Sequence, residues 1–455
     1  MIYSNPIGKY IKPYPSYKSS GVPWLGDVPA HWAILRLGTV LRERGEINDN
    51  GRISDVLSVM KERGVIPYAE KGNVGNKRSE DITRYKIVRA DDIVVNCMNV
   101  IIGSVGISKY MGCLSPVYYV LTKRSETCNP RYLNLYFQTK SFQLSLVRIG
   151  NGILSHRMRI PMELLKCEPF PIPPLSEQTA IVRFLDHADG RIRRAIRAKQ
   201  KLIKLLEEQK QAIIHRTVTR GLDPNVRLKP SGVEWLGDIP EHWEVKRLKW
   251  VTRLQRGYDL PADKRESGAF PVISSGGFID NHSSFKCVGP GVVMGRYGST
   301  DAVFYVEQNF WPHNTSLFVT DFQGNLPKWC FYLLQTITKA DNASKSAVPG
   351  VDRKDLFQII VTVPPVDEQV DIVYSIETGL KLLNEATLNA RNEISLLREY
   401  RTRLIADVVT GKLDVREAAE SLPEEAADPV MDDMDEEDAV PAEPTDTDDT
   451  GEADE

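Results

Sequence analysis

The sequence has no hydrophobic run of about 18 residues, the length a membrane-spanning helix needs. Its first residues, Met1-Ile2-Tyr3-Ser4-Asn5-Pro6, lack the basic and then apolar layout of a signal peptide. Both absences point to a cytoplasmic protein without a membrane role. The six cysteines, Cys97, Cys113, Cys128, Cys167, Cys287 and Cys330, form no Cys-x-x-Cys pair and have no histidine at ligand spacing. Neither zinc nor a disulfide framework is expected, and buried reduced thiols are the simple reading. A phosphate loop is missing too, since Gly411-Lys412 is followed by Leu413 where Ser or Thr would stand. The grip of an amino-methyltransferase on a flipped base needs a polar residue, Pro-Pro and an aromatic. Here the Pro-Pro pairs sit in Ile172-Pro173-Pro174-Leu175 and Val363-Pro364-Pro365-Val366, among apolar residues.

Lysine and arginine are absent from one end. From Glu417 onward there are 18 Asp and Glu and no Lys or Arg, so the body up to Arg416 holds 58 basic residues against 43 acids, a net of +15 inside a chain of net −3. A positive body suits a polyanion, because released counterions drive association with phosphates. The end of the chain has no aromatic residue and a dense acidic block at Asp432 to Asp438. Such a segment cannot bury enough surface to offset its ordering entropy, and a disordered acidic tail is expected over 415–455, either solubilising or competing for a DNA-facing surface.

Two phrases occur twice. Ser20-Gly21-Val22-Pro23-Trp24-Leu25-Gly26-Asp27-Val28-Pro29-Ala30-His31-Trp32 returns 211 residues later as Ser231-Gly232-Val233-Glu234-Trp235-Leu236-Gly237-Asp238-Ile239-Pro240-Glu241-His242-Trp243. Pro173-Pro174-Leu175-Ser176-Glu177-Gln178 returns 191 residues later as Pro364-Pro365-Val366-Asp367-Glu368-Gln369, and Thr219 to Asp223 matches Thr410 to Asp414 at the same offset. The chain of 455 residues is an internal duplication whose first copy carries 20 more residues between its landmarks.

After each second landmark, apolar or small residues recur at spacings of three and four: Ile181, Leu185, Ala188, Ile192, Ala195, Leu202, Leu206 and Ile213, and then Ile372, Ile376, Gly379, Leu383, Ala386, Ala390, Leu397 and Leu404. The spacing predicts two long helices with a narrow heptad-like seam, with Ser176 and Asp367 as N-caps. About 40 residues at 1.5 Å each make a rod of about 60 Å. So thin a seam leaves a lone helix marginal, so the two are expected to pack on each other, approaching closely at Ala188, Gly379, Ala195 and Ala386. The segments before the helices read as mixed α/β globules, with strands at Asp92–Val95, Pro116–Val120, Gly291–Met294 and Thr315–Val319 and helices at Arg131–Thr139 and Pro327–Thr336. The nearest nuclease-like set is Asp238 with Glu244 and Lys246, but the duplicate keeps Asp27 and has Ala33-Ile34-Leu35 in place of the rest. His31 and His242 sit in Trp-rich Pro turns and read as structural.

Two variable globules, each opened by Gly-x-x-Trp-Leu-Gly-Asp-x-Pro-x-His-Trp and closed by Pro-Pro-x-x-Glu-Gln and a long helix, resemble the DNA-specificity subunit (HsdS) of type I restriction-modification enzymes over essentially all of the chain to Asp414. The resemblance implies an α+β architecture: two mixed α/β target-recognition domains, two long antiparallel helices forming a coiled-coil spacer, and a pseudo-two-fold duplication. On this reading residues 1–170 and 223–361 are target-recognition domains, 171–222 and 362–414 are spacer helices, and 415–455 is the tail. The resemblance further implies double-stranded DNA as ligand, read as an asymmetric bipartite site, and partners in two copies of a methyltransferase subunit and in restriction/translocase subunits. No catalytic, cofactor or metal site is expected on this chain; S-adenosylmethionine, ATP and Mg2+ would belong to the partners.

Residue type and position select DNA-contact candidates: Asn96, Met98 and Asn99 after a strand, and Ser155, His156 and Arg157 in a Gly-Asn-Gly region. In the second globule they are Arg296, Tyr297 and Ser299, then Asn314, and then Ser344, Lys345 and Ser346. Arg191, Arg193, Arg194, Arg197, Lys199, Lys201 and Lys204 crowd the first helix and suit spacer phosphates, a partner or a solvated face. Two other readings stay open: a self-contained nuclease or methyltransferase, and a two-headed scaffold for protein or glycan.

Overall fold

The computed structural model describes residues 11–61, 63–72, 77–152, 158–296, 302–342 and 353–423. The chain divides into two compact units, Met1–Gly190 with Arg401–Glu455, and Arg191–Tyr400. Both long helices cross this division, so the units do not follow the boundaries drawn from sequence; each holds one globule and part of each helix.

In the first unit, β1 (Leu41–Glu43), β2 (Ile93–Asn96), β3 (Val105–Ile107) and β4 (Tyr118–Lys123) form an antiparallel sheet in the order β1-β4-β2-β3. The run Ile93-Val94-Val95 is wholly buried, as expected of a central strand covered on both faces. Helix α1 (Pro130–Phe137) starts with Pro130 in its first turn and is capped by Asn129, whose Oδ1 accepts the Arg131 N–H at 3.0 Å. It buries Tyr132, Leu133, Tyr136 and Phe137, and the rings of Tyr136, Phe137, Phe142 and Phe170 meet tilted or edge-to-face with centroids 4.5–5.3 Å apart. A hairpin, Leu57–Met60 with Gly64–Pro67, adds Leu57, Val59 and Val65 to a cluster with Val94 and Val120. Pro169–Ile172 then pairs with Ala33–Arg36, and α2 (Leu175–Arg220) follows.

The second unit repeats the plan. Strands β5 (Arg253–Arg256), β6 (Gly291–Gly295), β7 (Val303–Val306) and β8 (Ser316–Asp321) run in the order β5-β8-β6-β7, again first-last-second-third. Helix α3 (Pro327–Asn342) presses Trp329, Cys330, Leu333 and Leu334 into a core with Val292, Met294 and Leu317. A hairpin again lies between the first and second strands, here Phe270–Ser274 with Gly277–His282, joined by Trp311–Pro312. Ile360–Val363 pairs with Glu244–Arg247, and α4 (Val366–Val409) follows.

Inside each unit α2 and α4 are antiparallel neighbours. In the second, Ile214 and Val218 share a core with Ile372 and Ile376, while Lys199 Nζ meets Glu393 at 2.6 Å. In the first, Asp189 pairs with Arg401. Several details of the seam differ from expectation. Leu202 is exposed, and Ile214 and Val218 are buried where Ile213 was expected, because the contact line drifts around an α-helix of 3.6 residues per turn. Gly379 is exposed with open space where a Cβ would stand, so it does not mark a close approach. The helices begin at Leu175 and Val366, which puts Ser176 and Asp367 inside the first turn and not at the N-cap; the Glu177 and Gln178 N–H groups already bond Pro174 O at 2.9 and 3.0 Å.

The segment expected to be disordered from 415 begins with a short helix, Arg416–Glu420, that packs Val415, Ala419 and Leu422 into the first unit. Arg183 donates to Leu422 O at 2.8 Å. Those three apolar residues have a place in the core, and the following residues, 424–455, lie outside the described ones. Cys97, Cys113, Cys128 and Cys330 are buried thiols, whereas Cys287 is half-buried and Cys167 exposed. No described helix is long and apolar enough to cross a membrane.

Candidate nucleic-acid interface

The two repeated phrases meet in each unit and make one clasp. In the first, Glu177 accepts the indole N–H of Trp32 at 2.8 Å and the Tyr14 hydroxyl at 2.6 Å, and its other oxygen meets His31 Nε2 at 2.7 Å. Burial, and then the hydrogen bond to Glu177, push the Tyr14 phenol far above its ordinary value. Trp32 is fully buried, and Gly411, which ends α4 at φ +79°, lies so close that a Cβ there would fall 3.1 Å from its ring. In the second, Glu368 accepts from Trp243 Nε1 at 2.9 Å and meets His242 Nε2 at 2.5 Å, while Gly221, which ends α2 at φ +74°, abuts the Trp243 ring. Each tryptophan therefore gathers the start of one long helix and the end of the other. His31 and His242 are held by these carboxylates, in keeping with a structural role.

The glutamine beside each glutamate locks helix to globule. Gln178 Oε1 accepts the Asn129 N–H at 2.8 Å, and its Nε2 donates to Thr127 O and Pro173 O. Gln369 Oε1 accepts the Leu326 N–H at 2.8 Å, and its Nε2 donates to Asn325 Oδ1 and Pro364 O. Both glutamines are fully buried with their amide groups bonded, which fixes the start of α1 against α2 and of α3 against α4.

On this frame, the central strands of each sheet deliver polar residues to one end. In the second unit, the Arg296 N–H after β6 donates to Thr315 O at 3.2 Å, and Arg256 Nε donates to Asn314 O at 3.1 Å. Asn314 Nδ2 donates to Asp259, and His313 Nδ1 meets Thr315 Oγ1 at 3.1 Å. Burial, with Arg265 second, lowers the His313 pKa below its ordinary value and favours the neutral ring. Ser275, in the turn of the hairpin, donates its N–H to Thr315 Oγ1 at 3.3 Å. Arg296 and Asn314, selected from sequence on different segments, thus come together, and Arg256, His313, Thr315 and the hairpin join them. Sequence reasoning missed the latter set because Arg256 lies within a strand, and the Ser274-Ser275-Gly276-Gly277 turn, plain as a turn signal, does not say that it meets Thr315.

In the first unit Asn96 ends β2 opposite Tyr118. Its Oδ1 accepts the Met98 N–H at 3.1 Å, so this side chain shapes the turn. Met98 is 38% exposed, and Asn99 opens a 3-10 turn over Val100–Ile102. Ile160 N–H donates to Cys97 O at 2.9 Å, and Asn151 and Arg159 exchange backbone bonds of 2.8 and 2.9 Å. Those bonds hold Asn151 against Arg159 and Ile160 against the Asn96–Asn99 turn, with exposed Arg159 next to Ile160 in sequence. Ser155, His156, Arg157, Tyr297, Ser299, Ser344, Lys345 and Ser346 lie outside the described residues. The nuclease-like set dissolves: Glu244 and Lys246 pair with each other on a surface strand, and among the described residues no three His, Cys, Asp or Glu converge as metal ligands.

The family model of the type I restriction modification DNA specificity domain matches residues 32–205 and again 240–395. The chain belongs to this family. Each match opens in the His-Trp landmark and ends within a long helix, so the tryptophan and the glutamate of the clasp both lie inside it in each copy. The chain is 25% identical over 234 residues to the specificity subunit of the type I restriction enzyme MjaVIII of Methanocaldococcus jannaschii, covering 50% of this chain and about half, 51%, of that one. It is 23% identical over 434 residues to a chain of the same organism assigned as the specificity subunit of the type I restriction enzyme MjaX, covering 86% of this chain and 96% of the other. A chain solved in work on complex assembly and conformational transition of the type I R-M system superposes with a TM-score of 0.62 at 16% identity, over 85% of this chain and 99% of that one. That likeness is one of fold.

Proposed function

We propose that this chain is the sequence-reading subunit of a type I restriction-modification assembly, and that each specificity domain reads one half of an asymmetric, bipartite site in double-stranded DNA. The observation that carries this reading is the pairing of one repeated frame with two different readers. Sheet order, clasp glutamate and locking glutamine recur in both units, while the strand-end segments, Asn96–Asn99 and Arg256 with Arg296 and Asn314, do not repeat. A frame that holds while its readers differ suits two unlike half-sites, and the body charge of +15 suits phosphate contact. The continuous helices act as the spacer between half-sites, and the duplicated landmarks offer matching docking surfaces to two copies of a methyltransferase subunit and to restriction/translocase subunits. The chain itself is non-catalytic and works in the cytoplasm; S-adenosylmethionine, ATP and Mg2+ act on its partners.

The test is to co-express the chain with a methyltransferase subunit encoded beside it and map methyladenine across the host genome. One motif of two dissimilar short half-sites at a fixed gap is the expected result. Failure of the two subunits to associate, or a symmetric or gapless motif, would overturn the reading.

A further inference from the structure

The hairpin of the second unit differs from its counterpart in the first in a way the fold does not require. In the first unit, Leu57–Met60 and Gly64–Pro67 pair without a break, and Leu57, Val59, Val65 and Ile66 are all buried. In the second, the register shifts between Val272 and Ile273: Val272 faces Asp280 and Ile273 faces Phe278, which leaves Ile279 as the extra residue of a β-bulge. A bulge bends its strand and re-aims side chains. Here Phe278 is 62% and Ile279 40% exposed, side by side on the outer strand of a three-stranded sheet. Exposing two large apolar residues costs solubility and contributes nothing to the core, so they point to something that covers them.

We propose that Phe278 and Ile279 form an apolar wedge that packs against the base stack of double-stranded DNA in the half-site read by the second unit; this rests on the DNA-reading role given above. The turn of the same hairpin is tied through Ser275 and Thr315 to the cluster that holds Arg296, Asn314 and Arg256, so the wedge adjoins the polar residues suited to base edges and phosphates. Lys286, over the rings of Trp311 and Tyr258 at 4.8 and 5.8 Å, adds a cation against the Trp311 strand of the same sheet. The nearby acids are already engaged. Asp280 lies 3.8 Å from Arg265, Asp259 accepts from Asn314, and Glu266 accepts from Ser283. A second copy of the chain adding a strand to this edge is disfavoured, because the bulge interrupts the regular ladder that such pairing needs. Apolar side chains pressed between base steps beside basic residues are a known way for proteins to grip and bend a duplex.

The test uses the full chain in complex with its methyltransferase subunit and a duplex carrying the mapped motif. Phe278→Ala is expected to weaken binding about ten- to a hundredfold, by analogy with loss of an aromatic–base contact. It leaves the slope of log affinity against log salt unchanged, since no phosphate contact is lost. Arg256→Ala should weaken binding and lower that slope by about one. Phe278→Trp should stay within a few-fold of the unaltered complex. Unchanged affinity of Phe278→Ala would overturn the wedge, and so would loss of the methyltransferase subunit from the Phe278→Ala complex, which would make the hairpin a protein interface. If the unaltered complex fails to bind the motif duplex, the DNA-reading role falls instead.

Discussion

The same clasp is built twice and sealed once. In the first unit the Glu177 side chain is 3% exposed, roofed by Tyr14, against whose ring the Arg416 guanidinium lies at 5.2 Å while it pairs with Asp414. In the second, Glu368 is 40% exposed, and only His242 and the Trp243 indole reach it among the described contacts. The difference follows from what each globule has before its first landmark: Tyr14 stands ahead of the first, and the repeat offset puts Asn225 at that place ahead of the second. One carboxylate thus serves as a buried acceptor for two neutral donors, and its copy as a half-solvated surface acceptor. Duplication kept the geometry but not the energetics.

Removing the two glutamates separates these cases most sharply. Glu177→Ala leaves the Trp32 N–H and the Tyr14 hydroxyl buried without their acceptor, at about 1–3 kcal/mol each, so a loss of about 3–5 kcal/mol is expected for the first unit. Glu368→Ala strands a single indole N–H near water and should cost about 1 kcal/mol. Urea unfolding of both variants, followed by near-ultraviolet signals of the buried tryptophans, measures the gap. Equal losses would mean that the seal over Glu177 contributes nothing.

The seal itself can be cut. Ending the chain after Leu413 removes Val415, Ala419 and Leu422 from the core and uncovers Tyr14, which should cost about 2–4 kcal/mol. Ending it after Pro423 keeps all of these and should leave the melting temperature unchanged while deleting 16 of the 18 Asp and Glu that follow Arg416. A smaller and symmetric effect is expected at the locks: Gln178→Ala and Gln369→Ala each strand backbone groups at a helix start, and the two should cost alike, about 2 kcal/mol. A clear inequality in thermal melts would show that the globules, and not only the clasps, differ in how firmly they hold their helices.

Much of this architecture was legible in the sequence. The repeats, the helices from 175 and 366, and the strands around Val94, Val120, Val293 and Phe318 follow from local pattern, since periodicity and β-branched runs act over a few residues. The clasp was not legible, because Trp32 and Glu177 are 145 residues apart and neither announces its partner. The sheet order was not either, as it pairs the first strand with the last, and a short strand carries no record of its neighbour. Val415 and Leu422 were assigned to the tail because a short apolar segment is outweighed in composition by the acids after it. The candidate interface was half legible: Arg296 and Asn314, selected from sequence as strand-end polar residues, lie at one end of the same sheet, whereas the exposure of Phe278 depends on a bulge, and a bulge is a property of two strands together.

The smallest contrast is in acid. Burial, and after it Arg220, lowers the pKa of His215, and burial, and after it Arg265, lowers that of His313; both residues belong to the second unit. A histidine whose folded pKa lies below its unfolded value of about 6.5 binds more protons when unfolded, so stability is full above that pH and is lost as pH falls through the window beneath it. The second unit should therefore soften first as pH drops from 7 toward 5. Replacing both residues, His215→Gln with His313→Gln, should flatten that dependence at some fixed cost in stability. Hydrogen exchange at pH 7 and pH 5.5 resolves the two units separately. If protection falls equally in both, or if the double variant keeps the full pH slope, the weakness in acid comes from elsewhere, and the second unit owes nothing to His215 and His313.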